Sequence, residues 1–146
     1  MANTQSISNQ FRSNILQAGF NLTTKSLKAA LFFTASTVNA TTAAYSTTGE
    51  ATGTNYTAGG VAVTNGVAVT GLNTTVTGDT YYWTPSAAIV FTNVTIAAFD
   101  SLEIYDSVTP FNIIGVWNFG NQTVTAGNVT LNMPSNAAGT ALVRLL

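Results

Sequence analysis

Turn-forming residues interrupt the chain at short intervals, and this spacing constrains the fold more than any other feature of the sequence. After Gly19, segments rich in Thr, Val, Ile and aromatic residues alternate with Gly, Asn, Asp or Pro. Such segments favour β-strands, and turn signals about every 8 to 12 residues are typical of sandwiches and barrels. No interval between strands has helical periodicity, which argues against parallel βαβ units. The sequence therefore predicts an all-β fold: one antiparallel β-sandwich or jelly-roll-like domain over residues 21–146 with about nine or ten short strands.

Several strands can be placed individually. Leu27–Phe33 is an apolar run that predicts a strand buried on both faces. Asn65-Gly66 predicts a hairpin turn between strands at 60–64 and 66–70, or a bulge in one longer strand. Gly127-Asn128 predicts a turn within 124–133, and alternation in Leu102–Tyr105 predicts apolar and polar side chains on opposite faces. Further strands are predicted over 73–77, 81–84, 87–92, 94–99, 111–119 and 141–146.

The N-terminal segment differs from the rest of the chain. Residues 9–19 predict a short helix that ends at Gly19. Because this helix precedes the β-rich region, residues 1–20 are predicted to form an arm or docking element rather than part of the core. Its apolar anchors are Phe11, Ile15, Leu16 and Phe20.

Charge is scarce, and this excludes several classes of function. Only 6% of residues are charged, against about 25% in an average soluble domain. Four basic residues cannot neutralise a run of phosphates or attract an anionic membrane, so neither nucleic acid nor membrane is expected as a partner. The N-terminus lacks the continuous apolar core of a secretory signal, so synthesis in the cytoplasm without secretion is expected. A near-neutral surface does little to repel its own copies, which suits a protein of an assembly.

The residues needed for common catalytic chemistry are missing. The chain has no His and no Cys, which removes the usual triads, the commonest general base and most zinc sites. The only acidic cluster is Asp100, Glu103 and Asp106, which predicts a strand with solvated polar residues and acidic turn residues rather than a calcium site or a glycosidase pair. The sequence predicts no enzyme, no metal and no cofactor.

The loop from Tyr45 to Gly60 is rich in Thr, Ala, Gly and Tyr, and its only charge is Glu50. One hypothesis is that Glu50 reaches into the loop and accepts backbone N–H bonds, which would clasp the loop in one shape. The alternative is a solvated glutamate at a turn. The clasp hypothesis predicts a lower melting temperature for Glu50→Ala, and an unchanged melting curve contradicts it. Tyr45 and Tyr56 are candidate interface anchors of the same loop.

The aromatic residues allow a second kind of site. Tyr56, or the run from Tyr81 to Trp83, could stack on a sugar ring. Such residues are more often core or interface anchors, because each buries a large surface at low entropic cost.

The loop also carries a family resemblance. It is similar to a Tyr-Thr-Thr-Gly-Glu, Gly-Thr-x-Tyr, Ala-Gly-Gly pattern of small virion structural proteins of tailed bacteriophages. The similarity extends from Leu27 to the end of the chain, is specific in the loop and is looser elsewhere. Asn55 stands where that family has Gly, and Asn also tolerates a left-handed backbone. The matching positions are Tyr45, Thr47, Thr48, Gly49, Glu50, Gly53, Thr54, Tyr56, Ala58, Gly59 and Gly60.

The resemblance implies a non-enzymatic role in the virion. The leading expectation is a capsid decoration or cement protein that stabilises contacts between capsomers of the major capsid protein, with residues 1–20 as the docking arm. Deleting the arm should abolish capsid binding and leave a folded domain. The alternative is a tail or fibre component, or a module that binds host-surface carbohydrate. A homo-oligomer is expected, a trimer before a dimer.

Overall fold

The computed structural model describes residues 3–18, 20–22, 24–66, 81–137 and 139–145. It is mostly β, with 46% of residues in strands and 7% in helix, and its paired strands are antiparallel. The predicted β-rich, antiparallel class is therefore confirmed. The elements are β1 (Ser6–Ile7), α1 (Asn9–Ala18), β2 (Leu27–Phe33), β3 (Val61–Ala62), β4 (Tyr81–Trp83), β5 (Ile89–Asp106), β6 (Ile113–Leu131) and β7 (Val143–Leu145).

Two sheets organise these strands. The larger has the order β1-β6-β5-β2-β3, and the smaller pairs β4 with β7. Strand β2 has the predicted bounds, and its apolar run is explained by apolar clusters on both faces of the sheet at this strand. The strand predicted over 141–146 begins at Val143 as β7, and residue 146 lies outside the described residues. The strand predicted over 81–84 is β4.

Strands β5 and β6 form one long hairpin where the sequence predicted five short strands. The predicted turn at Gly127-Asn128 is wrong, because both residues lie inside β6. The interruptions are bulges: between the Phe91–Val129 and Val94–Gly127 pairs, β5 advances three positions while β6 advances two. Positive φ values occur at such shifts, at Asn93, Ala98, Gly120 and Ala126.

Side chains across the ladder satisfy the bulge amides. The N–H of Asn93 donates to Asn128 Oδ1 at 2.8 Å, and the N–H of Ala126 donates to Thr95 Oγ1 at 2.9 Å. These bonds replace ladder bonds that a bulge removes, so the strands continue through residues that usually end them.

Apolar side chains pack on both faces of the larger sheet. Along β2, Leu27, Ala29 and Leu31 enter the main core, whereas Ala30 and Phe32 join a smaller cluster on the opposite face. The main core also contains Trp83 of β4 and Val143 of β7, which place the small sheet against it. The smaller cluster is completed by Val38, Tyr105, Ile113, Val116 and half-buried Tyr45.

The N-terminal segment is tied to the same sheet. Strand β1 pairs with β6, and the predicted helix forms over Asn9–Ala18; its predicted end at residue 19 lies outside the described residues. Phe11 is 2% exposed and belongs to the main core, where it meets Phe20 edge to face. Asn3 accepts bonds from Ser36 Oγ and the Val38 N–H and donates to Asp100. Residues 3–18 thus make core contacts that the arm prediction did not include.

Some predictions fall outside the described residues. These are the strand over 73–77 and nearly all of the second strand of the Asn65-Gly66 hairpin. Within the described part of the chain, the one helix is too short and too polar to cross a membrane.

Candidate functional site

The candidate site lies where residues 36–60, here called the covering segment, wrap the edge of β2. Residues 49–51 run beside the strand: the Phe33 N–H donates to Gly49 O, and the Ala51 N–H donates to Leu31 O. Further along, β3 pairs with Lys28 and Ala29. Val38 and Tyr45 of the same segment pack on the smaller apolar cluster. The covering segment therefore encloses both the edge of β2 and one face of the sheet.

Glu50 is the centre of this arrangement. Its side chain is buried, and it accepts three hydrogen bonds: from Tyr45 Oη at 2.5 Å, from Tyr56 Oη at 2.8 Å and from the Gly59 N–H at 2.7 Å. The structure thus places Glu50 inside the loop, bound to one backbone amide and two phenols. We call Glu50, Tyr45, Tyr56 and Gly59 the Glu50 clasp. Both carboxyl oxygens are engaged: Tyr45 donates to Oε2, and Tyr56 and the Gly59 N–H donate to Oε1.

Tyr56 has a second role that the sequence did not predict. Strand β2 pairs with β3 at Lys28 and Ala29 and with residues 49–51 further along. Between these two pairings, the N–H of Leu31 points away from β5, and no strand in the described ranges bonds to it. That N–H donates to Tyr56 Oη at 2.9 Å, so the phenol oxygen stands where a neighbouring strand would place a carbonyl. The Tyr56 ring stacks on Phe91, with 5.7 Å between ring centroids. Tyr56 therefore joins the edge of the sheet to the carboxylate.

Gly59 and Gly60 turn the covering segment back toward β3. Their φ values are 88° and 66°, the left-handed region that favours glycine. A Cβ on Gly60 would overlap the carbonyl oxygen of Ala29, so the backbones approach too closely for a side chain. Asn55 also has a φ of 60°, the left-handed backbone that Asn tolerates better than most residues.

Tyr105 closes the far side of the clasp. Its ring stacks on Tyr45 with a centroid separation of 4.1 Å, and its hydroxyl donates to Gly59 O at 2.8 Å. Burial, with the charge of Glu50 next, raises the pKa of Tyr105 to about 12. Burial first and the hydrogen bond to Glu50 second raise the pKa of Tyr45 above the ordinary tyrosine value; for Tyr56, burial is followed by the charge of Glu50. All three phenols therefore keep their protons at neutral pH and can donate.

Glu103 is the exception among the polar groups of this region. It is 0% exposed, and neither carboxyl oxygen has a hydrogen-bond partner among the described residues. It pairs across the sheet with Ala30 and Val116, so apolar residues flank it. Burial first, and the nearby charge of Glu50 second, raise the pKa of Glu103 from 4.5 to about 8.

The prediction of a solvated acidic strand is wrong. Asp100, Glu103 and Asp106 are all buried, because the covering segment, the N-terminal residues and Lys25 cover this strand. Asp100 is bonded to Asn3 Nδ2 and Ser101 Oγ, and Asp106 pairs with Lys25 Nζ at 2.9 Å. Within the described ranges, no group of three or more metal-ligating side chains comes together.

The other predicted site residues lie in different environments. Phe11 is in the core, and Ile15 and Phe20 are partly buried against it, whereas Leu16 is 88% exposed. The predicted sugar platform is contradicted at Trp83, which is 1% exposed and packs in the main core. Tyr56 is only half-buried, but its ring faces Phe91 and its hydroxyl is bonded twice.

Sequence reasoning missed Tyr105, Glu103 and Asn3 as parts of this region. A signal for the first two was present, since alternation in Leu102–Tyr105 puts them on one face. That the covering segment buries this face depends on contacts more than 40 residues apart in the chain, such as Tyr105 to Gly59, which local patterns do not encode.

The fold and the site define a mostly β, antiparallel protein in which every described side-chain carboxylate is internal: Glu50, Asp100, Glu103 and Asp106. Comparison of the chain with protein-family models, with curated proteins and with solved structures found no match.

Proposed function

We propose that this chain is a non-enzymatic structural protein of a tailed-bacteriophage virion, and specifically a capsid decoration protein that cements capsomers of the major capsid protein. It is made in the host cytoplasm and resides in the virion. The observation that carries the proposal is the distribution of charge: the described surface exposes no side-chain carboxylate and only a few cations. The other exposed residues of the described ranges are mainly uncharged polar or small, and four larger apolar residues are exposed among them: Leu16, Val90, Val108 and Phe111.

Such a surface suits permanent contact with another protein. Burying an ion at an interface costs several kcal/mol unless it is well paired, whereas hydroxyls and amides can bond to almost any polar neighbour. A surface without strong charge also lets many copies lie close together on one lattice. These properties favour assembly over the capture of a charged ligand.

The buried and hydrogen-bonded positions of the carboxylates support a non-enzymatic role. Glu50 is engaged by three donors that fix the loop, and Asp106 by Lys25. Glu103 is sealed from solvent at 0% exposure, where a substrate would have to displace the covering segment to reach it. These acids therefore serve the fold rather than a reaction.

A β-sandwich is the architecture that we propose for the whole domain. The small sheet supplies Trp83 and Val143 to the core that Ile96 and Phe99 of β5 enter from the larger sheet. Two antiparallel sheets that share one apolar core are the defining feature of a sandwich.

The contact surface that we propose includes α1. Leu16 is the most exposed of the large apolar residues, although its neighbours Ile15 and Phe11 face inward. An isolated apolar side chain on a docking helix can anchor a partner in a complementary pocket. A free oligomer, a trimer before a dimer, is part of the same proposal and is measured by light scattering after size-exclusion chromatography.

Binding to capsids assembled without this chain tests the proposal. Leu16→Asp should weaken binding at least tenfold, because the charge must be desolvated at the contact. Gln17→Asp is the matched control, since Gln17 is an exposed neighbour on the same helix. Circular dichroism checks that both variants fold. Wild-type binding by Leu16→Asp contradicts the anchor, and absence of binding by the wild-type protein contradicts the decoration role.

The alternative is a tail or fibre component. Cryo-electron microscopy of the virion separates the two, because decoration places density on the capsid lattice and the alternative places it on the tail.

A further inference from the structure

Glu103 lies beneath the covering segment, in a region with several ionisable neighbours. From the segment, Glu50 and Tyr45 contribute to the electrostatics of the region, and Tyr105 lies on the same face of β5. On β2, Lys28 pairs with Tyr105 and reaches toward Gly59. On β6, Val116 is opposite Glu103 and has no charge. Asp100, earlier on β5, is bonded to Asn3 and Ser101.

The two glutamates of this region have opposite environments. Glu50 accepts three hydrogen bonds. Glu103 has no donor among the described residues, and an ionised carboxylate without donors is very costly to bury. Burial without donors, and then the nearby charge of Glu50, therefore favour the neutral carboxylic acid at Glu103 in the closed structure.

We propose that Glu103 is a proton-controlled latch for the covering segment: while Glu103 holds its proton, residues 36–60 stay closed over the sheet, and loss of that proton releases the segment. Two buried negative charges on Glu50 and Glu103 repel each other in a medium of low polarity, and hydration of Glu103 relieves that repulsion. Glu103 is 0% exposed on the face that Val38 and Tyr45 of the covering segment pack against, so its hydration requires that segment to move.

The sign of the pH dependence follows from the direction of the shift. Burial raises the pKa of Glu103 to about 8 from 4.5, so the folded state binds the proton more tightly than the unfolded state. The associated stability is complete below about 4.5 and is lost as the pH rises through about 8. Within this window the folding equilibrium constant falls about tenfold per pH unit for one proton.

The composition makes this window easy to measure. With no His and no Cys, the chain lacks the side chains that ordinarily titrate between pH 5.5 and 8. A dependence of stability on pH in that range therefore comes from a group with a shifted pKa or from the terminal amine. The substitution Glu103→Gln separates these two, because it removes only the first.

Urea unfolding between pH 5.5 and 9 tests the latch. The wild-type protein should lose stability with rising pH and reach a plateau above pH 8, whereas Glu103→Gln should give a flat profile. Asp106→Asn is the matched control: it removes a buried acid of the same strand that has a cation partner, and it should keep the wild-type slope. A flat wild-type profile, or an unchanged slope in Glu103→Gln, overturns the proposal.

Two measurements on the wild-type protein keep the test decisive if Glu103→Gln does not fold. The ¹³C shift of the Glu103 carboxyl should titrate near pH 8, and a midpoint near 4.5 overturns the proposal. Hydrogen exchange at the Gly59 and Leu31 amides, which bond to the Glu50 clasp, should accelerate above pH 8 beyond the intrinsic base catalysis measured at Ile104, which is buried in the main core. Equal acceleration at all three amides contradicts local release.

A chelator separates protons from metal ions as the cause. The NMR titration and the hydrogen-exchange rates should be unchanged by EDTA, and dependence of either on a divalent cation overturns the proton-based latch.

Discussion

At the scale of single residues, one carboxylate organises a loop that has almost no regular structure. Glu50 connects residues five, six and nine positions away from it, through Tyr45, Tyr56 and Gly59. A segment with few ladder bonds must satisfy its polar groups in some other way, and a buried anion can accept several donors at once. The Glu50 clasp therefore substitutes for the strand pairing that the covering segment lacks.

The two clasp phenols should contribute unequally to stability. Tyr56→Phe removes a donor to Glu50 and also leaves the Leu31 N–H without its acceptor, whereas Tyr45→Phe removes a donor only. An orphaned buried N–H costs about 1–3 kcal/mol, so Tyr56→Phe should lower the free energy of unfolding by about that much more than Tyr45→Phe. The melting temperature should differ by about 2–4 °C per kcal/mol for a chain of this size.

Chemical denaturation of the two variants measures this difference, and each variant is the other's control because both lose one hydroxyl. A double-mutant cycle of Tyr56→Phe with Glu50→Gln should show a coupling energy above about 0.5 kcal/mol. Equal destabilisation by the two tyrosine substitutions would mean that the Leu31 N–H finds water instead.

At the scale of elements, the sequence predicted the bounds of strand β2 correctly but predicted five short strands in place of the two long strands β5 and β6. Strand β2 could be predicted because its apolar run has clear ends. In β5 and β6, residues such as Asn93 and Gly127 indicated breaks, and whether such a residue makes a turn or a bulge depends on partners across the ladder. Glu50 could be singled out as the only charge of its loop, whereas the burial of Glu103 depends on distant segments that cover it.

The N-terminal elements should be needed for folding as well as for binding. Phe11→Ala should lower the free energy of unfolding by about 3–5 kcal/mol, because the ring is 2% exposed in the main core and its removal leaves a cavity. Leu16→Ala is the matched control, since Leu16 is on the same helix and 88% exposed, and it should change stability by less than about 0.5 kcal/mol.

Deletion of residues 1–20 should destabilise the chain further, because it also removes the β1 pairing and the bonds of Asn3. Loss of capsid binding in that variant would then reflect unfolding, so point variants of α1 are the better probe of docking. A truncated chain that keeps the wild-type melting temperature would show that residues 3–18 are a separable arm.

At the scale of the whole molecule, charge is both scarce and hidden. The chain has four basic and five acidic residues, and the four described acids are buried. Solubility therefore depends on uncharged polar side chains, and long-range electrostatic steering toward a partner is weak. An interface made by this surface must rely on shape, apolar contact and neutral hydrogen bonds.

The capsid binding that we propose should consequently be insensitive to salt. Raising NaCl from 50 to 500 mM shortens the screening length several-fold, yet the affinity measured by cosedimentation should change by less than about twofold. Sulfate strengthens apolar contact, so it should increase binding at matched ionic strength. Capsids sedimented alone under each condition control for lattice integrity. A loss of tenfold or more in NaCl would instead assign the contact to the exposed cations Arg12 and Arg144, and would contradict a neutral interface.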